Sequence, residues 1–312
     1  MSLIIRLPNW LGDVIMALPV AAAILQKHPH SVFSGQATFA PLLSALGFQQ
    51  EYRALPPKNW RYYSHFWQQR GQFSQAVLFA NSQRSDAEAW LQGIPKRYGI
   101  AWQTRPRRLL THRYYIRHPE QDGERHQSQL WTDFTAHFAL QDGVSFAPLL
   151  PNADRASHIV LICGSENSPE KRWEVSKWRA FIQQLRRHSD AEILLCGTAK
   201  DKEICQAIMQ NLALEQVRNL AGKTDMSEFF NLLRRAQCVI GNDTGGLHLA
   251  NAAGTPTVGL YGPTNPQRTR PIFDAPLAIV QPKDCPASGG GKMADIAVED
   301  VLNAWQAFSV LR

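Results

Sequence analysis

A short stretch with the residue types of a phosphate site occurs at residues 241–246, GNDTGG. An apolar run at 238–240 precedes it and a small-residue helical pattern follows, which predicts a turn from a strand into a helix. Such a turn leaves backbone N–H groups unpaired at the helix N-terminus, and two adjacent glycines let a ligand approach that backbone. Two interpretations stay open here: a phosphate-binding turn, or only a capped turn with Asp243 or Thr244 as the N-cap.

Three other polar residues follow strand patterns in the same way. Asp13 comes after SLIIRL and the loop PNWLG, and by itself it would suit a helix N-cap. Lys171, in GSENSPEKRW, would neutralise a diphosphate or simply face solvent. Asp201, in GTAKDKE, would hold ribose hydroxyls or cap the next helix. Because ligands of open α/β sheets bind where the strands end, loops of this kind are candidate binding loops.

The second half of the chain predicts a doubly wound α/β domain. Strand patterns at 158–163, 192–196, 237–240 and 256–260 alternate with helix patterns near 174–188, 201–212, 226–235 and 245–253. No GxGxxG follows the first of these strands, which argues against a dinucleotide dehydrogenase.

The first half shows a similar alternation, with strand patterns at 2–7, 31–33 and 76–78 that predict a parallel sheet. Residues 52–73, rich in Trp, Tyr, Arg and Gln, form either an amphipathic surface that faces a large or partly apolar partner or a helix packed on the sheet. Periodicity stops in the Pro-rich stretch around 146–154, so we place a domain boundary near residue 152.

The net charge of +7 belongs mainly to the first half. Residues 1–150 hold 15 Lys and Arg against 9 Asp and Glu, whereas residues 151–312 hold 18 against 17. Many of the basic residues cluster in one region: Arg84, Lys96, Arg97, Arg105, Arg107, Arg108 and Arg113. This cluster indicates either an anionic partner or a solvated basic loop. No nucleic-acid-binding module accompanies it, so nucleic acid is not an expected partner.

The composition suits two ordinary globular domains, with 312 residues, 44% hydrophobic and 19% charged. The five cysteines are odd in number and form no CxxC, which favours a packing role. No apolar run approaches the ~20 residues of a membrane span, and no signal-peptide pattern occurs. We therefore expect a cytoplasmic protein and leave contact with a membrane surface open.

Six motifs, taken together and in order, are far more specific than any one alone. They are PNWLGDVIMALP at 8–19, FANSQRS with GIPKRYG at 79–99, GSENSPEKRW at 164–173, CGTAKD at 196–201, NLAGKTDM at 219–226, and GNDTGGLHLANAAGTPTVGLYGPTNP at 241–266. Together they resemble the ADP-heptose:lipopolysaccharide heptosyltransferases over nearly the whole chain. The forms NWLGD and KRW look closer to the heptosyltransferase II branch of that family.

The resemblance implies a GT-B architecture, in which two Rossmann-like, doubly wound α/β domains face a central cleft. It implies an acceptor-binding domain at 1–152 and a nucleotide-sugar-binding domain at 153–295. The last helix, within 296–312, would pack back on the N-terminal domain.

The resemblance also implies an inverting glycosyltransferase. Such an enzyme would move L-glycero-D-manno-heptose from β-linked ADP-heptose to the lipopolysaccharide inner core, with heptosyl-Kdo2-lipid A as acceptor, and would form an α linkage. Asp13 would be the general base, held ionised by its helix N-terminus.

The same match assigns the remaining site residues. The donor diphosphate would contact Lys171, Asp243, Thr244, Gly245, Gly246 and His248, without an obligatory metal. His248 taken alone reads more simply as a packed histidine. Asp201 and Thr224 would lie on the nucleoside side of the donor. From the basic cluster, we assign acceptor contacts to Arg84, Arg97 and Arg105.

The expected partners are therefore the nucleotide-sugar donor, an anionic lipopolysaccharide core acceptor and the inner face of the cytoplasmic membrane, where the protein would be peripheral. No cofactor is expected. Two alternatives stay open: a GT-B enzyme for another nucleotide sugar, and a non-catalytic nucleotide- or lipopolysaccharide-binding protein.

Two stretches depart from the family pattern. KDCPASGGGKM at 283–293 has one Cys, no His and a Gly triplet, which puts an acceptor contact there in doubt and suits a flexible loop. Glu166 adds a carboxylate near the expected diphosphate.

Overall fold

The computed structural model describes residues 2–117, 125–150, 153–165, 168–210, 212 and 216–309. The chain divides into two compact units, Met1–Ser145 and Phe146–Arg312. The predicted boundary near residue 152 and the carboxylate of Glu166 lie outside the described residues.

The first unit contains a six-stranded parallel sheet. Its strands are β1 (Leu3–Arg6), β2 (Val32–Gly35), β3 (Tyr52–Ala54), β4 (Gln75–Leu78), β5 (Lys96–Ala101) and β6 (His112–Tyr115). They lie in the order β3-β2-β1-β4-β5-β6. The chain adds β2 and β3 on one side of β1 and then adds β4, β5 and β6 on the other side, so the topological switch point lies between β1 and β4. In open α/β sheets, the carboxyl ends of the strands on either side of this switch point border the ligand crevice.

The helices of the first unit connect these parallel strands. They are α1 (Leu11–Lys27), α2 (Ala40–Ala45), α3 (Tyr62–Gln68), α4 (Gln83–Leu91) and α5 (Gln127–His137). Helix α1 buries most of its length, from Val14 to Leu25, and packs against α5. The two helices are tied by the Ser128 hydroxyl, which donates to the carbonyl of Met16 at 2.8 Å.

The second unit repeats the topology of the first. Its strands are β7 (His158–Ile162), β8 (Glu192–Leu195), β9 (Val217–Asn219), β10 (Cys238–Asn242), β11 (Thr257–Leu260) and β12 (Leu277–Val280). All neighbours are parallel, in the order β12-β11-β10-β7-β8-β9. The switch point therefore lies between β7 and β10, where Gly241 is in register with Ile162.

The helices of the second unit are α6 (Val175–His188), α7 (Lys202–Met209), α8 (Met226–Arg235), α9 (Gly245–Ala252), α10 (Pro266–Thr269) and α11 (Val298–Ser309). Helix α6 shows why these segments fold as they do, because its apolar residues recur at helical spacing. Trp178, Phe181, Ile182 and Leu185 are all buried on one face, against the sheet core.

Helix α11 belongs to the second unit. It packs on α6 and on β12, and Val301, Leu302 and Trp305 enter the same core cluster as the strands. We expected a helix in 296–312 to pack back on the first domain. The apolar face of the described helix is buried within its own unit, and the expected contact with the first domain stays a prediction.

All five cysteines are free thiols, and four of them are buried. Burial raises the pKa of Cys196 to about 12, so this thiol stays neutral in the core. The four buried cysteines therefore pack in the core, as predicted, whereas Cys285 is partly exposed. Within the described residues, no helix has the length and apolar character needed to cross a membrane.

Candidate active site

Lys171 and Asp243 form an ion pair at the switch point of the second sheet. Lys171 ends a 3₁₀ turn, Pro169–Lys171, in the loop after β7, and Asp243 directly follows β10. The Lys171 ammonium lies 2.8 Å from Oδ2 of Asp243. The carboxylate is buried, whereas the lysine side chain is 24% exposed. The structure thus joins two predicted site residues and leaves the ammonium within reach of a ligand.

Asn242 fixes the loop that carries Lys171. Its side chain is completely buried at the end of β10. Its amide nitrogen donates to the carbonyl of Cys163 at 2.7 Å, and its amide oxygen accepts from the backbone N–H of Trp173 at 3.2 Å. Both ends of the loop after β7 are therefore attached to β10. No role for Asn242 was expected from the sequence, although a polar residue that ends an apolar strand is a signal for one.

Tyr261 is a second buried residue near this pair, and no sequence motif assigned it a role. Its ring is fully buried after β11, and its hydroxyl donates to the carbonyl of Thr269 at 3.5 Å. Burial raises the pKa of Tyr261 well above its ordinary value, and the negative charge of Asp243 adds to the shift. The phenol therefore stays neutral beside Asp243, whose side chain accepts its hydrogen bond from Lys171.

The turn after Asp243 begins helix α9, and Thr244 is its N-cap residue. The Thr244 backbone is extended, but its side chain makes no capping bond. Its hydroxyl oxygen is buried and finds no hydrogen-bond partner among the residues described. The first N–H groups of a helix have no acceptor within it, so those of Gly245 and Gly246 face the end of the sheet without intrahelical partners.

Gly246 also has a packing role that the sequence did not indicate. A Cβ atom there would lie 2.5 Å from Cδ1 of Ile162 and 3.1 Å from Cζ of Phe229. The absence of a side chain at Gly246 therefore lets α9 pack closely on β7. The sequence had suggested only that the glycine lets a ligand approach the backbone. His248, further along α9, is buried.

Asp201 lies between the ends of β7 and β8. Its Oδ2 accepts from the backbone N–H and the hydroxyl of Thr198, both at 2.9 Å. Its Oδ1 is buried and has no hydrogen-bond partner within the described part of the chain. A Cβ on Gly164 would lie 2.0 Å from this oxygen, so the glycine makes room for the carboxylate. Asp201 thus forms a capping box with Thr198, and its side chain makes no bond to α7, the helix that it was expected to cap.

Thr224 lies beside the loop of Asp201. The preceding Gly222 donates its N–H to the carbonyl of Gly197 at 3.0 Å, so the loops after β8 and β9 are in contact. Thr224 itself is partly exposed, one residue before the N-cap Asp225 of α8. The structure thus brings the two predicted nucleoside-side positions onto adjacent loops.

Asp13 lies in the first turn of α1, after β1 at the switch point of the first sheet. The helix begins at Leu11 and Trp10 is its N-cap residue, so Asp13 is not the cap. Asp13 is partly exposed. A carboxylate in the first turn of a helix is stabilised in its charged form by the helix dipole.

A buried polar network holds the loop in front of Asp13. Arg6, at the end of β1, donates from Nε to Glu88 at 2.9 Å and from Nη2 to the Asn9 side chain at 3.2 Å. The Tyr62 hydroxyl donates to the other oxygen of Glu88. Gln36 donates to the Asn9 carbonyl at 2.6 Å. The loop is thus attached to β1 and β2, and through Glu88 to α3 and α4.

The basic residues of the first unit differ in their availability. Arg84 is exposed on α4, and Arg105 is half-buried beside the Trp102 ring. The Arg97 guanidinium already donates to the carbonyls of Ile94 and Leu109, and burial lowers its pKa.

Arg107 belongs to the core rather than to a basic surface. It is buried and pairs with Asp86. It also donates to the carbonyls of Ala80 and Ile100 at 3.0 and 2.9 Å. Arg107 is therefore a structural ion-pair residue and is not available to an anionic partner.

The Gly-rich segment at 283–293 packs on the loop after β11. Gly290 donates its N–H to the carbonyl of Gly262 at 3.0 Å, and Gln281 donates to the carbonyl of Pro286 at 3.2 Å. Met293 at its end is buried in the core. The Gly triplet had suggested a flexible loop. In the structure this segment makes defined hydrogen bonds and packing contacts.

No group of three or more His, Cys, Asp or Glu side chains suited to a metal ion occurs in the described ranges. Two doubly wound sheets, with an ammonium group and a helix N-terminus at the switch point of one of them, define an α/β protein of the nucleotide-binding class.

Residues 64–288 match glycosyltransferase family 9 (heptosyltransferase). This match covers more than half of the chain, and the chain belongs to that family. It is therefore a glycosyltransferase, as the sequence motifs predicted.

Two relatives match the chain over most of its length. The lipopolysaccharide heptosyltransferase 2 of Escherichia coli (strain K12) is 26% identical over 305 residues, covering 87% of this chain and 86% of the relative. The lipooligosaccharide heptosyltransferase 2 of Campylobacter jejuni (serotype O:6, strain 81116) is 24% identical over 322 residues, covering 97% of each.

Solved structures show the same fold. The E. coli ADP-heptose LPS heptosyltransferase II superposes with a TM-score of 0.79 at 22% identity, covering 100% of this chain and 99% of the other. E. coli heptosyltransferase WaaC with ADP gives a TM-score of 0.76 at 18% identity, covering 99% of this chain and 100% of the other. The two Rossmann-like units thus form the GT-B fold that the resemblance predicted.

Proposed function

We propose that this protein is an inverting transferase of the heptosyltransferase II type. It moves L-glycero-D-manno-heptose from ADP-heptose to the inner core of lipopolysaccharide, with heptosyl-Kdo2-lipid A as the acceptor. The observation that carries this proposal is the Lys171–Asp243 pair at the start of α9, in a chain that matches lipopolysaccharide heptosyltransferases 2 over most of its length.

The donor diphosphate binds at the second switch point. The Lys171 ammonium and the N–H groups at the start of α9 supply positive charge and hydrogen bonds to the phosphate oxygens. Asp243 is itself an anion, so it contributes by holding Lys171 and does not contact the phosphates directly. Thr244 offers a hydroxyl on the same turn, and His248 lies behind the turn. The protein thereby stabilises the leaving ADP without a metal ion.

The nucleoside lies towards β8 and β9. The free Oδ1 of Asp201 accepts a hydrogen bond from a ribose hydroxyl, and Thr224 lines the adenine side. The carboxylate stays fixed during binding because its other oxygen is already bonded to Thr198.

The reaction is a single displacement. The acceptor oxygen attacks the anomeric carbon of the heptose while the bond to the β-phosphate oxygen of ADP breaks, so the β-linked sugar becomes α-linked. Asp13 accepts the proton of the acceptor hydroxyl. A carboxylate is a weak base for an alcohol, so the proton moves late, when the new carbon–oxygen bond has largely formed.

The acceptor binds to the first unit. Arg84 and Arg105 are the basic residues best placed to meet its anionic groups, whereas Arg97 is partly engaged with backbone carbonyls. Because this acceptor is anchored in a lipid bilayer, the protein acts in the cytoplasm at the inner face of the cytoplasmic membrane, as a peripheral protein.

The test is a transfer assay with purified protein, ADP-heptose and truncated lipopolysaccharide that ends at the first heptose. We expect the acceptor to gain the mass of one heptose, with one ADP released for each transfer and an α-anomeric signal in the NMR spectrum of the product. A preference for UDP- or GDP-sugars would show that ADP-heptose is not the donor and would favour the alternative of a GT-B enzyme for another nucleotide sugar. ADP binding with no product on any core acceptor would favour the non-catalytic alternative.

A further inference from the structure

One surface of the first unit has no role in the chemistry described above. It consists of Trp60, Tyr63 and Trp67 with Lys58, Arg61 and Arg70, and we refer to it as the aromatic-basic surface. Trp60 is 85% exposed, Tyr63 48% and Trp67 55%. Tyr63 and Trp67 are four residues apart on α3 and share one face, and Trp60 lies in the turn before that helix.

The opposite face of the same helix is anchored in the unit. Tyr62 and Phe66 are 5% and 3% exposed, and their rings are in edge contact at 5.2 Å. Helix α3 thus has a buried aromatic side and a second aromatic side in solvent. The sequence left two interpretations of residues 52–73, a packed helix and a surface for a partly apolar partner, and the structure shows features of both.

Isolated exposed aromatic residues are ordinary, but three large ones within eight residues form a patch that indicates a partner. Trp and Tyr are the residues that prefer the headgroup level of a bilayer, because a ring and a polar N–H or O–H suit both sides of that boundary.

Cations border these rings. The Arg61 guanidinium lies 4.5 Å from the Trp60 ring centroid, and that of Arg70 lies 4.6 Å from the Trp67 ring. Among the described residues, neither arginine has a carboxylate partner. From 52 to 85 the sequence contains five Lys and Arg and no Asp or Glu. The surface is therefore complementary to an anionic one.

We propose that the aromatic-basic surface binds the anionic phospholipid headgroups of a bilayer, with Trp60, Tyr63 and Trp67 inserted at headgroup depth. An anionic bilayer fits better than a protein partner because cations and amphipathic rings occur together with no carboxylate between them. The inference rests on the proposed function in one respect, since a lipid-anchored acceptor requires the protein to reach a membrane.

The test uses the full-length protein and vesicles that contain neither donor nor acceptor. We measure the fraction of protein that sediments with vesicles of equal parts phosphatidylglycerol and phosphatidylcholine, and compare it with the fraction that sediments with vesicles of pure phosphatidylcholine. We expect binding to the anionic vesicles, weakened by added salt, with a blue shift of tryptophan fluorescence. The double variants Trp60→Ser/Trp67→Ser and Arg61→Gln/Arg70→Gln should each reduce binding about tenfold or more.

Matched controls come from the same unit. Tyr115→Ser removes an aromatic residue that is 61% exposed on the opposite edge strand, β6. Arg108→Gln/Arg117→Gln removes the same charge from other exposed positions. Neither control should change vesicle binding, and circular dichroism should show that all variants fold.

The inference would be overturned if the surface variants and the control variants lost vesicle binding equally, or if the wild-type protein did not bind vesicles. A dimeric wild type with monomeric surface variants in light scattering, without vesicle binding, would assign this surface to a second copy of the chain instead. The heptosyl transfer assay with a water-soluble, deacylated acceptor is independent of these results. Vesicle binding without transfer would therefore refute the proposed function alone, and transfer without vesicle binding would refute this inference alone.

Discussion

The Lys171 ammonium shows how a single residue can be prepared for a ligand that is not yet bound. Asp243 holds it at 2.8 Å while leaving it partly exposed, and the Asp243 carboxylate itself is buried. Because the ammonium and not the carboxylate reaches solvent, we expect a diphosphate to approach the ammonium without displacing Asp243. The orientation of the lysine is thus set before the donor arrives, which lowers the entropy lost on binding.

Replacing Lys171 tests this arrangement. We expect Lys171→Ala to weaken ADP binding roughly 10- to 100-fold, because a hydrogen bond from a charged group contributes about 1.5–3 kcal/mol. Isothermal titration calorimetry measures the change. The control is Lys96→Ala, which removes an exposed lysine at the start of β5 in the other unit. Equal ADP affinity in the wild type and Lys171→Ala would exclude the ammonium from the diphosphate site.

Asp13 is tested by separating catalysis from binding. Asp13→Asn keeps the size of the side chain but removes its basicity, so we expect the transfer rate to fall about 10²- to 10⁴-fold with ADP affinity unchanged. Initial rates of ADP release with acceptor present measure the first quantity and calorimetry the second. Asp142→Asn, which changes an exposed carboxylate of the same unit, is the matched control. A fully active Asp13→Asn protein would rule out this base.

Among the elements, the loop after β7 and the strand β10 act as one piece because of Asn242. Its amide bridges the beginning of the loop at Cys163 and its end at Trp173. Trp173 in turn donates its indole N–H to the carbonyl of Ile296 at 3.2 Å, just before α11. The position of Lys171 therefore depends on contacts made by three separate parts of the chain.

We expect Asn242→Ala to lower the free energy of unfolding by about 2–4 kcal/mol, since buried hydrogen-bonding groups lose their partners. It should also weaken ADP binding, because the loop that carries Lys171 loses its attachment. Urea titrations and calorimetry measure the two effects. Asn251→Ala provides the comparison, as Asn251 is equally buried in α9 but bonds to Phe273. If both variants bind ADP as tightly as the wild type, Asn242 has only a structural role.

The sequence predicted the elements with strong patterns. Buried apolar runs such as β7 and the amphipathic α6 were confirmed, because their periodicity is imposed by the core. Strands β3, β5, β6, β9 and β12 were missed. The first residues of β5, Lys96 and Arg97, were assigned to a basic cluster. Strands β3 and β9 have three residues each, and only one of their six side chains is buried. Pairing with a neighbouring strand, and not an apolar pattern, makes them strands.

Contacts within the site were less predictable than its residues. Lys171 and Asp243 are 72 positions apart, and only the strand order that places β7 beside β10 brings them together. The role of Gly246 in helix packing depends on the same tertiary arrangement. Asp201 was expected to cap the following helix, whereas its side chain accepts from Thr198, three residues earlier, in a capping box.

At the scale of the whole molecule, each unit has its own sheet, core and switch point, so ligand effects should be local to a unit. We expect ADP to slow hydrogen–deuterium exchange most in the loops at 163–173 and 242–248, with smaller effects at 197–201. The loops at 7–13 and 79–84 of the first unit serve as the internal reference. If ADP protects those two reference loops most strongly, the donor binds to the first unit and our assignment of the donor site to the second unit is wrong.

Tyr62 connects the two roles assigned to the first unit. Its ring anchors the inner side of α3, and its hydroxyl reaches Glu88, which pairs with Arg6 beside the loop of Asp13. With Trp60 and Trp67 at headgroup depth, as proposed above, these contacts would set the height of the Asp13 carboxylate above the lipid. Acceptor sugars would then be selected by how far their hydroxyl stands from the bilayer, before any contact with the sugar itself is made.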